Sequence, residues 1–167
     1  VAVAGRDALD QCALENWFFN IRREGREPVT PLELQLQWRV STRKAFVGSE
    51  ALRRRREAGV AQRLTCLVGE GPCAIGDAVR LEGGAVGRVV NAGFSDTCGE
   101  WVALALLDVA WAHPGIGFEV AGAAGTAAVR SVSPPVVNNR SLHVSPQLHS
   151  YATRGDYTFP PLPTTSP

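Results

Sequence analysis

Between Thr30 and Trp38 the sequence TPLELQLQW alternates without a break, Leu32, Leu34, Leu36 and Trp38 against Glu33, Gln35 and Gln37. A period of two puts each set on one face of an extended chain, so the pattern predicts a strand over 32–40 whose Leu and Trp side rests on a core. Upstream, GRDALDQCALENWFFN (5–20) brings Leu9, Cys12, Ala13, Asn16 and Trp17 to helical spacing. Asp7 and Asp10 fall early in that segment, where a helix N-terminus favours acids. The charged stretch IRREGREPVTP, with Gly25 and two prolines, reads as a loop between the two. GSEALRRRREAG then predicts a short helix with Ser49 as its cap and Gly59 as its stop.

From residue 61 the texture changes. RLTCLVG, DAVRLEGGAVGRVVNAGF, EWVALALLDVA and GFEVAGAAGTAAVRSV are short β-branched or alternating runs, separated by Gly-Gly, Gly-Ala and His-Pro-Gly punctuation. Turns roughly every ten residues predict about six strands of a small antiparallel barrel or sandwich. Beyond Val132, Pro134, Pro135, the polar NNRS and RGDYTFPPLPTTSP predict a tail without regular structure. Such a tail is either disordered or laid across another surface, and Tyr151, Tyr157 and Phe159 favour docking for its first part.

Composition narrows the function classes. With 45% hydrophobic residues, 20% charged and a formal net charge of +1, this is the balance of a soluble globular chain of one or two small domains. It gives no support for a nucleic-acid or anionic-membrane surface, and the Arg53 to Arg56 run, winding around one helix, reads as a solvated face. No apolar stretch approaches the ~20 residues of a membrane span, and no signal peptide opens the chain, so the expected location is cytoplasmic. Cys12, Cys66, Cys73 and Cys98 are far apart and form no CxxC pair, which points to free thiols rather than a metal site or a disulfide framework. The chain contains no Met, and is therefore expected to be a fragment or processed part of something longer.

The order of several short motifs resembles one family. GRDAL (Gly5 to Leu9), TPLELQLQW (Thr30 to Trp38), KAFVGSEAL (Lys44 to Leu52), GDAV (Gly76 to Val79), VGRV (Val86 to Val89), AGFS (Ala92 to Ser95), VALA (Val102 to Ala105) and the pair Pro114 and Gly115 follow one another as in the C-terminal half of the glycine-cleavage T-protein (aminomethyltransferase) superfamily. That superfamily includes the aminomethyltransferase, the folate-binding parts of dimethylglycine and sarcosine oxidising enzymes, and tetrahydrofolate-dependent demethylases. The resemblance implies an α+β chain: a short helical segment, then a six-stranded, translation-factor-like β-barrel, then an extended tail. It places the end of a folate-binding domain at 1–39, the barrel at 40–133 and the tail at 134–167. It also implies that tetrahydrofolate is the cofactor, with the rest of the folate pocket and the catalytic acid in an N-terminal part or companion subunit.

By the same resemblance Arg6 stands where the family's ARD arginine holds folate, a task suited to the planar guanidinium fork. Arg140, in PPVVNNR, is the nearest match to a second folate-side residue. Trp38 reads first as a domain-interface core residue and otherwise as a wall of the folate cavity. No catalytic residue and no metal ligand is expected in the chain itself. Departures are plain: the family's YGND turn is FFNI (18–21), its KxDF acid is Ala45, and its SPxL is SDTC (95–98). With the extra aromatics Trp17, Phe18 and Phe19, they favour a divergent member, a demethylase passing a methyl group from a small methylated substrate to tetrahydrofolate. Those rings either line a pocket or form a buried interdomain cluster. The alternative function is a non-catalytic barrel that docks onto a partner or a separate N-terminal subunit.

Overall fold

The structure, a computed structural model, describes residues 4–137 together with Ala152, Gly155 and Asp156. Six antiparallel strands form a closed barrel: β1 (Gln62–Gly69), β2 (Ala78–Leu81), β3 (Gly84–Ser95), β4 (Glu100–Asp108), β5 (Gly117–Gly122) and β6 (Gly125–Val132), in the order β1-β4-β3-β2-β5-β6 and back to β1. Of the barrel and the sandwich that the turn spacing allowed, the structure is the six-stranded barrel that the resemblance implied. Before it come two helices, α1 (Arg6–Glu15) and α2 (Ser49–Ala58), and two single turns of 3-10 helix at Glu24–Arg26 and Gln37–Arg39.

Two apolar layers share the strands β1 and β4. Leu67, Ala103, Ala105 and Leu107 point into the barrel with Val79, Val89, Phe118, Val120 and Val129. The alternate residues Leu64, Cys66, Val68, Val102, Leu104 and Leu106 point outward and are just as buried, under Leu14 of α1, Val136 and Val137. Strands covered on both faces read as continuous apolar runs, which is why LTCLV and VALALL show no alternation. Each fully buried Leu or Val contributes about 1.5–3 kcal/mol.

Strand β3 adapts to this cover through two bulges. Val86 is extra against β2 and Val90 is extra against β4. The second bulge brings Val90 and Asn91 to the same outer side, so that Val90 packs in the outer layer while Asn91 meets the acid Glu24. Near the centre of β3, Gly87 lies against β4 so closely that a Cβ there would sit 2.3 Å from the Leu106 carbonyl oxygen.

Three buried carboxylates fasten the cover. Glu15 accepts a 2.6 Å hydrogen bond from Ser95 Oγ, Glu24 accepts from Asn91 Nδ2 at 2.7 Å and from the Asn20 amide at 2.8 Å, and Glu33 accepts from the Thr30 amide at 2.8 Å. Arg55 of α2 reaches Glu33 Oε1 with Nε at 2.9 Å and Nη2 at 2.7 Å. Each acid is less than a tenth exposed, and buried acids persist only when so partnered.

The strand expected at 32–40 is not one. Residues 31–35 are successive turns, Gln35 takes a positive φ of 59°, and 37–39 close a 3-10 turn. The physical reason lies in β1, which pairs with β6 only from Cys66 to Gly69 and so leaves its first half with an open edge. The segment caps that edge by turning: the Leu64 amide donates to the Glu33 carbonyl at 2.8 Å, and Gln35 Nε2 donates to the Leu64 carbonyl at 2.6 Å. Leu32 and Glu33, neighbours in sequence, are both buried, so the alternation in the sequence does not sort buried from exposed positions here. Two smaller expectations also change. The residue before α2 is Gly48, in the left-handed region at φ 91°, and Ser49 is the first helical residue; Gly59, at φ 80°, ends the helix as anticipated. The Arg53 to Arg56 run is not uniformly solvated, because Arg55 is spent on Glu33.

Two outcomes test this account. Gly87→Ala should lower unfolding free energy by about 1–3 kcal/mol through forced separation of β3 and β4, whereas Gly117→Ala, with open space around its Cβ, should stay within ~0.5 kcal/mol; urea melts of both check it. At Glu33, burial pushes the carboxyl pKa up, but hydrogen bonds from Thr30 and Arg55 outweigh it and the net pKa lies below the usual 4.5. A depressed carboxyl pKa contributes stability that is present above the unfolded value and is lost as pH falls through the folded one. Glu33→Gln should therefore lower stability at pH 7 and remove part of the fall in stability below about pH 4.5, read as Tm against pH.

Candidate functional site

Helix α1 ends in a way that builds a groove. The Phe18 amide donates to the Ala13 carbonyl at 2.8 Å and the Trp17 amide to the Leu14 carbonyl at 3.4 Å, with Trp17 at φ 58°. This is the paired 6→1 and 5→2 closure that normally has glycine at the left-handed position. A bulky residue held there is strained by about 1–3 kcal/mol, and such strain concentrates where geometry serves a site. The helix thus stops at Glu15, short of the 5–20 span expected, and the chain swings three rings sideways.

Those rings wall a groove of about 730 Å³ with Gln35, Leu36, Trp38 and Arg39 of the turn segment and Ser133 to Pro135 beyond β6. Trp17 and Phe19 stand edge to face, centroids 5.4 Å apart, and both pack on the outer apolar layer. Phe18 is mostly exposed. Trp38 is 70% exposed and carries the Arg39 guanidinium over its ring at 4.4 Å, so it does not rest on a core within the described residues. Its neighbours are turn residues, and no core lies behind a 3-10 turn on the rim. Of the two readings of Trp17, Phe18 and Phe19, the groove-lining one describes their positions, while two of the rings also extend the core.

The three site residues named from the sequence are not gathered in one place. Trp38 is at the groove. Arg6 is exposed at the opposite end of α1, about 15 Å away along the helix axis by its rise per residue. It has no hydrogen bond or ion pair among the described residues. Arg140 lies outside the described residues. Sequence reasoning did not single out Arg39 or Gln35; the only signal was a cation directly following Trp38.

The groove offers aromatic faces and a polar rim. Aromatic walls stack planar rings, and Arg39 and Gln35 supply donors at the rim. Asn20, kept from the family's turn, is occupied structurally: its Nδ2 donates to Asp10 at 2.9 Å and its Oδ1 accepts from the Arg22 amide at 2.9 Å. Ile21, where the family has an acid, points to solvent. No group of three or more His, Cys, Asp or Glu suited to a metal occurs among the described residues, and no described helix is long and apolar enough to cross a membrane.

Fold and groove together define a class: a small closed β-barrel whose outer face is covered by a preceding helix and turn segment. Residues 62–138 match the glycine cleavage T-protein C-terminal barrel domain. The chain is 33% identical over 110 residues to an aminomethyltransferase of Thermosipho melanesiensis, covering 65% of this chain and 30% of that protein. It is 35% identical over 124 residues to one of Listeria welshimeri, covering 72% of this chain and 34% of that protein. Its fold is similar to the crystal structure of the glycine cleavage system aminomethyltransferase T of Bartonella henselae, with a TM-score of 0.68 at 23% identity over 77% of this chain and 37% of that one. The chain belongs to the glycine-cleavage T-protein superfamily and carries its C-terminal region. It spans about a third of the length of the curated relatives it matches.

The four thiols are free, and burial sorts them. Burial, with a smaller contribution from nearby Cys98, pushes the Cys66 thiol up to about 12, and burial followed by Asp77 raises Cys73. Thiolate is the reactive form. Ellman's reagent should therefore modify exposed Cys12 first in the native chain and reach Cys66 and Cys73 only after denaturant; rapid native labelling of Cys66 would contradict the packing described.

Proposed function

We propose that this chain is the C-terminal part of a cytoplasmic, tetrahydrofolate-dependent one-carbon transferase, of a subtype that demethylates a small methylated substrate. The observation that carries the reading is the aromatic groove at the end of α1, formed by a member of this superfamily where FFNI replaces the usual turn. Its walls fit the flat ring of a folate, and bound tetrahydrofolate would supply N5 as acceptor of the one-carbon unit. Trp38 would stack on the ring. Arg6, free of partners among the described residues, would hold a carboxylate or amide edge by paired hydrogen bonds, and Arg140 would approach from the tail. The acid that assists proton transfer belongs to the N-terminal part of the enzyme, the partner this reading requires.

A second reading, a non-catalytic barrel docking onto a separate subunit, is favoured by one observation: Phe46 and Val47 stand in solvent beside α2, Val47 fully exposed. The two readings part on folate. In the protein at its natural length, Arg6→Ala and Trp38→Ala should each weaken tetrahydrofolate binding about tenfold, the value of one charge-assisted hydrogen bond or ring contact, with Tm unchanged because both side chains are exposed. Calorimetric titration reads this. Unchanged affinity in both variants leaves the docking module as the function.

A further inference from the structure

A second concavity is lined by the chain that follows Arg39. The stretch from Arg39 to Glu57 holds seven basic residues and two acids in a chain whose net charge is +1, so positive charge is concentrated here. This stretch folds as the loop 40–48 and α2, and between them is a cleft of about 420 Å³. Neutralisation inside the stretch is uneven. Arg53 pairs with Glu50 at 2.6 Å and with Glu57 at 2.5 Å, Arg54 approaches Glu50 at 3.9 Å, and Arg55 is committed to Glu33. The one acid lining the cleft, Glu50, is thereby already matched, and Arg53 holds its pKa below the usual carboxylate range.

What remains around the cleft is Arg43, Lys44 and Arg56, none with a hydrogen bond or ion pair from its side chain among the described residues. The hydroxyls of Ser41, Thr42 and Ser49 line the same space. Three exposed cations without a side-chain partner among the described residues border one concave, hydroxyl-lined space, an arrangement that raises the local concentration of anions.

We infer that the cleft between loop 40–48 and α2 binds a small polyanion through Arg43, Lys44 and Arg56, a molecule bearing adjacent phosphoryl or carboxylate groups. The site is concave and its free cations few, so it suits a compact ligand and not an extended nucleic-acid strand, which needs a continuous basic track. Its existence does not depend on folate binding at the aromatic groove.

The test titrates the 167-residue chain with pyrophosphate and, separately, with the free tripeptide Glu-Glu-Glu, so that the two arms separate phosphoryl from carboxylate recognition. Arg43→Gln with Lys44→Gln should weaken binding of the preferred probe about tenfold or more, the loss of one or two charge-assisted hydrogen bonds. Arg56→Gln, on the opposite wall, should do so too. Arg22→Gln with Arg26→Gln removes the same charge from a loop outside the cleft and should leave affinity unchanged. Circular dichroism and Tm confirm that all variants fold, as expected for exposed positions. Absence of binding by both probes at millimolar concentration overturns the site. Equal weakening by the Arg22 and Arg26 pair overturns it as well, since that outcome reduces the effect to diffuse net charge.

Discussion

The outward-facing side chains of β1 and β4 constrain the rest of the molecule. A barrel needs its inner face filled, but Leu64, Cys66, Val102, Leu104 and Leu106 make the outer face of two neighbouring strands as apolar as the inner one. That surface cannot be left to water. Helix α1, the turn segment 30–36 and Val136 and Val137 beyond β6 are arranged over it, and the three acids Glu15, Glu24 and Glu33 fix them by hydrogen bonds to the barrel, to the cover itself and to α2.

The groove follows from the same arrangement. Because α1 must lie across β3 and β4 it has to stop before it overruns the barrel, and it stops in a tight closure that turns Trp17, Phe18 and Phe19 to one side. Because the turn segment must reach the open edge of β1, it leaves Trp38 and Arg39 on the rim. The residues that exit β6 close the third wall. A ligand-sized space is thus produced by the boundary between cover and barrel, where chain segments end and sheet hydrogen bonding imposes no regularity on side-chain placement.

Much of the barrel was legible in the sequence, and the reasons are local. Gly-Gly and His-Pro-Gly turns mark strand ends, and the unbroken apolar run VALALL belongs to a strand covered on both faces. Helix α2 was legible because good helix formers run up to the stop at Gly59, although the residue before the helix is Gly48 and not the Ser49 cap expected. The segment at 30–38 was not, since its alternation satisfied the strand pattern while its job, capping a strand edge across a separation of 29 residues, is a tertiary demand. Trp38 does not rest on a core within the described residues for the same reason: a large ring on an alternating segment implies one only if the segment is a strand. The pairing of Arg55 with Glu33, 22 residues apart, is likewise invisible to spacing rules, and Arg140 falls outside the described residues.

The capping of Leu64 has a consequence for where this unit can be cut. Sequence similarity to the barrel domain begins at residue 62, yet the first half of β1 has its free edge occupied only by residues that precede that point. The stretch matched by the barrel-domain family is therefore shorter than the stretch that closes the edge of β1. A barrel excised at its first strand would present bare amide and carbonyl groups beside an uncovered apolar face, a template on which a second copy could add its own strand. The matched barrel domain and the hydrogen-bonded unit differ here by the cover, and the turn segment belongs to the second even though its sequence reads as an independent strand.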